Sequence, residues 1–227
     1  MRFLTDNFGP PGFYLPQRRG RGTGTPDVIL IQGFGNSPRA MNSVRDHLSQ
    51  EGLHGTVAPL GGLFGYLQTR GIKTAGRRLE QYLSTLPAGH RPWLVAHSIG
   101  GIIARWAIQE EGAARRVRGL ITIGTPHRGT PAAIAGLVVG LGVISSAPYQ
   151  MVPLSPAIRR LNQARWPEDV SLLSIVSKRD PLCIHPFGLI PFADEKKVRC
   201  QVLRGLRHTE MLRDPEVMAA MMAEIRA

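Results

Sequence analysis

Four short, largely apolar runs stand out along the chain: VILI (28–31), WLVA (93–96), LITI (120–123) and LLSIV (172–176). Between them apolar positions recur every three or four residues, as in KTAGRRLEQYLSTL (73–86), where Ala75, Leu79, Tyr82, Leu83 and Leu86 fall on one helical face. The runs predict buried strands within 27–33, 92–98, 117–126 and 171–178, with a further strand at 198–203 and a weaker one at 54–60. Helices are predicted over 37–52, 73–86, 100–112 and 214–226, the last with Asp214 as N-cap and Pro215 in its first turn. Strand and helix alternate, which implies an α/β fold with a mostly parallel sheet covered by helices on both faces. Residues 1–26 are rich in Pro, Gly and Arg and read as an extension; 27–227 reads as one domain, with an insertion at about 129–166.

Composition narrows this picture only a little. With 227 residues, 43% of them hydrophobic, the chain can bury a single core. The 28 Lys and Arg against 16 Asp and Glu give a net charge of +12, mostly as scattered arginines. No basic stripe interleaved with aromatics accompanies them, so nucleic acid is not expected as a partner, whereas peripheral contact with anionic lipid surfaces is compatible with the charge. Cys183 and Cys200 are too few for a disulfide framework and are expected as two reduced thiols, one bridge being the alternative. The N-terminal residues lack the apolar core, about 7–15 residues long, of a signal peptide, so a cytoplasmic location is expected. The apolar stretch 132–144 falls short of the ~20 residues a membrane-spanning helix needs.

Candidate chemistry sits at the ends of the predicted strands. In AHSIG (96–100) a serine lies between a strand and a helix, flanked two residues away by Ala96 and Gly100. A sharp strand-to-helix turn needs small groups at those two positions and pushes the central hydroxyl outward. Such a serine fits an acyl-transfer nucleophile, which requires donors for the developing oxyanion. The Ile99 N–H is one candidate. The Phe34 N–H, in the QGFGNSP loop (32–38) after the first strong strand, is the other, with Gln32 expected to hydrogen-bond and fix that loop.

QGFG, AHSIGG and IGTPHRGTPAA (123–133), with the spacing among them, resemble the bacterial triacylglycerol lipases and related small esterases of the α/β-hydrolase superfamily, from about residue 27 onward. The resemblance implies the α/β-hydrolase fold and the chain order serine, acid, histidine. His47, His54 and His90 precede Ser98; His97 lies inside the turn and is read as shaping it; His127 lies in IGTPHRGT and is read as structural; His185 lies in a Pro-rich loop. His208, between the last strand and the last helix, is the expected base. Asp180, after the strand SLLSIVSK and where the family places its aspartate, is the expected acid, with Asp194 as the alternative. The implied activity is a serine lipase or esterase acting on an apolar acyl ester through an acyl-enzyme on Ser98. Acyltransfer or phospholipid hydrolysis on the same triad, or a hydrolase-fold binding protein without turnover, are the alternatives. No cofactor and no metal are expected, since no His, Cys or carboxylate cluster has ligand spacing. The 129–166 insertion occupies the place of a lid; either a mobile, interface-seeking helix or a rigid buried one would cover the site.

Overall fold

The computed structural model of the chain describes residues 24–62, 68–138, 140–192 and 195–227. The elements run β1 (Val28–Ile31), α1 (Asn42–Gln50), β2 (Gly55–Val57), α2 (Ile72–Ser84), β3 (Trp93–His97), α3 (Ile99–Glu110) and β4 (Gly119–Ile123). After them come α4 (Ala132–Val138), α5 (Leu141–Ile144), α6 (Ala147–Met151), α7 (Pro156–Gln163), β5 (Ser171–Ser177), β6 (Val198–Leu203) and α8 (Pro215–Arg226). The six strands form one sheet in the order β2-β1-β3-β4-β5-β6, and every pair is parallel.

The apolar runs have a direct cause: both sheet faces are buried. Ile29, Ile31, Leu94, Ala96, Leu120 and Leu172 face a core shared with α2, α3 and α7. Their neighbours Val28, Leu30, Val95, Ile121 and Leu173 face a second core closed by α1 and α8. Side chains alternate across a strand, so one apolar run serves two layers. Asp214 caps α8 as expected, its Oδ1 accepting from the Glu216 and Val217 amides at 2.9 and 3.2 Å. The first helix differs from its expected 37–52 span. A 3-10 turn over Pro38–Met41 precedes α1, with Pro38 in its first position.

The insertion is neither one long helix nor a buried one. It divides into α4, α5, α6 and α7, with Gly140 in the left-handed region at φ 85° between the first two. Val138 and Val143 are 82% and 92% exposed. Its ends are pinned together: the Thr130 N–H donates to the Met151 carbonyl at 2.8 Å. Among the described residues no helix is long and apolar enough to cross a membrane. Cys183 and Cys200 are both free thiols. Of the N-terminal extension, residues 1–23 lie outside the described residues.

Arg105 on α3 is completely buried, and among the described residues it forms no ion pair with a carboxylate. Its guanidinium instead donates to the Leu161 carbonyl at 2.7 Å, Asn162 Oδ1 at 3.1 Å, Gln109 Oε1 at 3.0 Å and the His127 carbonyl at 3.4 Å, and lies 4.9 Å from the Phe192 ring centre. Burial pulls its pKa down to about 9, so it remains charged at neutral pH. This fork ties the helix behind Ser98 to α7, the last helix of the insertion. Arg105→Met is expected to lower the unfolding free energy by about 2 kcal/mol, because buried acceptors at Asn162 and His127 lose their donor. Urea melts measure this; an unchanged midpoint would mean that relief of the buried charge offsets the lost bonds.

Candidate active site

In the order 2-1-3-4-5-6 the chain leaves β1 toward one sheet edge and returns at β3 toward the other. The connections therefore part above β1 and β3, opening a crevice at their carboxyl ends. Ser98 follows β3 and the Gly33–Phe34 loop follows β1. Gly124, Asp180 and His208 lie in the segments after β4, β5 and β6, so the topology brings residues far apart in sequence to one edge.

Ser98 has φ 58° and ψ −132°, a conformation that non-glycine residues rarely adopt and that costs about 1–3 kcal/mol. Its surroundings hold it there. The Ser98 N–H donates to the Ile123 carbonyl at 3.0 Å, and the Ser98 carbonyl accepts from the Gly101 N–H at 3.1 Å and Thr125 Oγ1 at 2.8 Å. The small neighbours are needed where the sequence has them. A Cβ on Gly100 would come within 2.6 Å of the Ile31 carbonyl oxygen, and one on Gly101 within 2.2 Å of Thr125 Oγ1. Ala96 is fully buried. Ser98 itself stays partly exposed at the start of α3.

Asp180 and His208 are buried together. His208 Nδ1–H donates to Asp180 Oδ2 at 2.7 Å, while Asp180 Oδ1 accepts from the Leu182 and Cys183 amides at 2.8 and 2.9 Å. Burial alone would raise the Asp180 carboxyl. The His208 hydrogen bond and charge, with the two amides, outweigh burial and hold it below its ordinary value. With Nδ1 committed to the carboxylate, Nε2 is the His208 nitrogen left to exchange a proton.

The β1 loop lies against the serine. A Cβ on Gly33 would stand 3.0 Å from Ser98 Cβ. Among the described residues neither the Phe34 nor the Ile99 N–H donates to another group. The expectation that Gln32 fixes this loop is corrected: its buried Oε1 has no partner. The Gln68 backbone does so, its carbonyl accepting from the Gly35 N–H at 2.7 Å and its N–H donating to the Asn36 carbonyl at 3.1 Å. The alternative acid Asp194 lies outside the described residues.

Three supporting residues escape a reading by sequence. Ser177 Oγ accepts from the Leu206 and Arg179 amides at 3.1 and 3.3 Å, joining the histidine loop to the acid loop. At Gly124, φ 60°, a Cβ would stand 3.2 Å from both Asp180 Oδ2 and His208 Nδ1. Thr130 Oγ1 donates to the Leu182 carbonyl at 2.7 Å, linking the insertion to the acid loop. Of these, only Gly124 carried a signal, a glycine directly after a strand. A cavity of about 570 Å³ bounded by Trp166, Glu168, Glu195 and Lys197 opens instead beside the amino ends of β5 and β6, away from these groups.

His127 is buried beside Arg105, its Nε2–H donating to Thr122 Oγ1 at 3.0 Å, in keeping with a structural part. Burial and then the Arg105 charge depress its pKa; burial and then the His208 charge bring that of His97 down to about 3. In the unfolded chain both take up protons near pH 6.5. Their stabilising contribution is therefore complete above that value and declines as pH falls, because the unfolded state gains protons that the native state does not bind. Denaturant midpoints are expected to drop between about pH 7 and about pH 5, by up to roughly 1.4 kcal/mol per pH unit for each imidazole. A flat profile would contradict two buried neutral rings.

Comparison with known proteins agrees with this architecture. The family model described as PGAP1-like alpha/beta domain matches residues 67–142, a segment that contains Ser98. No curated protein matches the chain in sequence. The mature Bacillus licheniformis lipase BlEst2 superposes with a TM-score of 0.67 at 16% identity, covering 91% of this chain and 94% of that one. A Paleococcus ferrophilus monoacylglycerol lipase gives 0.64 at 16% identity over 89% and 95%, and a hydrolase from Oleispira antarctica 0.63 at 15% over 90% and 92%. With its parallel six-stranded sheet and its serine turn between β3 and α3, the chain has the α/β-hydrolase fold, and its likeness is to the lipases and esterases built on it.

Proposed function

We propose that the protein is a serine carboxylic-ester hydrolase, a lipase or esterase working through an acyl-enzyme on Ser98. The observation that carries this reading is the strained Ser98 turn sharing one sheet edge with a buried His208–Asp180 pair. Strain of this kind persists only where surroundings enforce it, and it presents a hydroxyl. His208 Nε2 takes the Ser98 proton as Oγ attacks the ester carbonyl carbon. The Ile99 and Phe34 amides receive the oxyanion. Collapse of the tetrahedral intermediate breaks the bond to the alkoxy oxygen, which leaves as the alcohol with the proton from His208. Water, deprotonated by His208, then attacks the acyl-enzyme and releases the acid. Asp180 holds the imidazole tautomer and stabilises the imidazolium in both halves.

The insertion favours a lipid-like ester. Val138, Val143 and Leu154 are 82%, 92% and 68% exposed, in a segment with no charged residue from 129 to 158 and with Arg128, Arg159 and Arg160 at its ends. An apolar surface bordered by cations suits contact with an anionic lipid layer while an acyl chain enters beneath. The names of the lipase neighbours fit this substrate class. Hydrolysis of p-nitrophenyl esters of graded chain length, below and above micelle formation, combined with fluorophosphonate labelling, tests the reading. Labelling confined to Ser98 is expected. Folded protein that neither labels nor hydrolyses any ester in the series would refute it.

A further inference from the structure

His97 is the last residue of β3 and the immediate neighbour of Ser98 in the chain, and it is 1% exposed. The sequence offers it only as part of the turn. In the structure it touches all three parts of the proposed machinery. Its Nε2 lies 3.2 Å from the backbone carbonyl of His208, a residue 111 positions away. A carbonyl can only accept, so Nε2 carries the hydrogen and Nδ1 is bare. Its ring lies on the His208 imidazole, with centroids 4.5 Å apart and planes tilted by 47°. Its bare Nδ1 has no partner and faces the Gly33 backbone, where a Cβ would come within 3.3 Å.

We propose that His97 is a positioning residue for the base: through its Nε2–H bond to the His208 carbonyl and its contact with the His208 ring, it registers the histidine loop against the nucleophile turn. This rests on the hydrolase reading above. Two restraints then act on His208 from different sides. Asp180 holds Nδ1, which sets the tautomer but still permits the ring to swing about that bond. His97 holds the backbone and covers one face of the ring, which removes the swing. Because His97 is bonded directly to Ser98 through the chain, any shift of the nucleophile carries the restraint with it.

A charged ring could not fill this place. His208 and, beyond it, Asp180 are the titratable groups that act on His97 electrostatically, and the Gly33 side contributes none. An imidazolium at position 97 would oppose the imidazolium that forms on His208 during each half-reaction. Burial and the His208 charge keep His97 neutral down to about pH 3, so it supplies the hydrogen bond without the opposing charge.

Two substitutions separate donor from ring. His97→Phe keeps an aromatic face and removes the donor; His97→Gln keeps a donor at similar reach. On a short p-nitrophenyl ester, His97→Phe is expected to lower kcat about 10- to 100-fold with KM within about threefold, the pattern of a displaced catalytic group. It should also displace the acidic limb of the pH–rate profile. His97→Gln should recover most of kcat. Wild-type kcat and pH profile in His97→Phe would overturn the proposal, as would equal loss in both variants.

Nitrogen NMR of 15N-histidine-labelled wild-type protein reads the same geometry without any substitution. A neutral Nε2–H tautomer at His97 across neutral pH is expected, and an Nδ1–H tautomer would overturn the proposal even where a variant fails to fold. Wild-type protein inert to every ester and to fluorophosphonate would instead defeat the hydrolase reading, with the tautomer still deciding whether His97 holds the His208 loop.

Discussion

Ser98→Ala is expected to reduce ester hydrolysis by about a millionfold and to abolish fluorophosphonate labelling, while leaving the fold intact. Alanine keeps the Cβ, and with it the strained φ of 58°, so the unfolding midpoint should stay near that of the parent. Ser98→Gly separates the two effects. Glycine occupies this backbone region at no steric penalty, releasing about 1–3 kcal/mol of strain, against a loss of about 0.4–1 kcal/mol from the greater freedom of the unfolded chain. The glycine variant should therefore be inactive yet melt at higher denaturant concentration than the alanine variant. Retained hydrolysis in either variant would remove Ser98 from the chemistry. Equal midpoints for the two would show that the turn stores no strain.

The strand-and-helix framework was readable from sequence because burial on both sheet faces forces long apolar runs, and a parallel sheet of this kind admits few alternatives. The Ser98 turn was readable for a steric reason: only small residues fit where Ala96, Gly100 and Gly101 pack. His208 and Asp180 were placed through chain order and resemblance, and the structure brings them to 2.7 Å. What escaped was set by contacts between distant segments. The position of His97 next to Ser98 gives no hint that its ring lies on another histidine 111 residues later. Nothing in the sequence marks Arg105 as buried, since a cation is seldom sunk without a carboxylate; in the structure carbonyl and amide oxygens take that place. Nor does the apolar composition of 129–166 distinguish a buried helix from four short ones with exposed valines. That difference depends on Gly140 and on how the segment ends are pinned.

Asp180→Asn is expected to lower kcat by about ten-thousandfold near neutral pH with little change in the fold. The side-chain oxygen can still accept from the Leu182 and Cys183 amides, so the loop keeps its local bonds. The NH2 group then faces His208 Nδ1 and donates to it, which reverses the tautomer. Nδ1 becomes the acceptor, Nε2 carries the hydrogen, and the ring cannot take the serine proton. The stability cost follows the carboxyl's titration. In the native protein Asp180 ionises below its unfolded value, so its contribution is complete above about pH 4 and disappears as acid protonates the folded carboxyl. The parent should accordingly be the more stable of the two at neutral pH, and the gap should close as pH falls below about 4. Paired denaturation curves across that range, alongside the kcat profile, measure both effects. An asparagine variant with parental kcat would move the acid's role from Asp180 to another carboxylate.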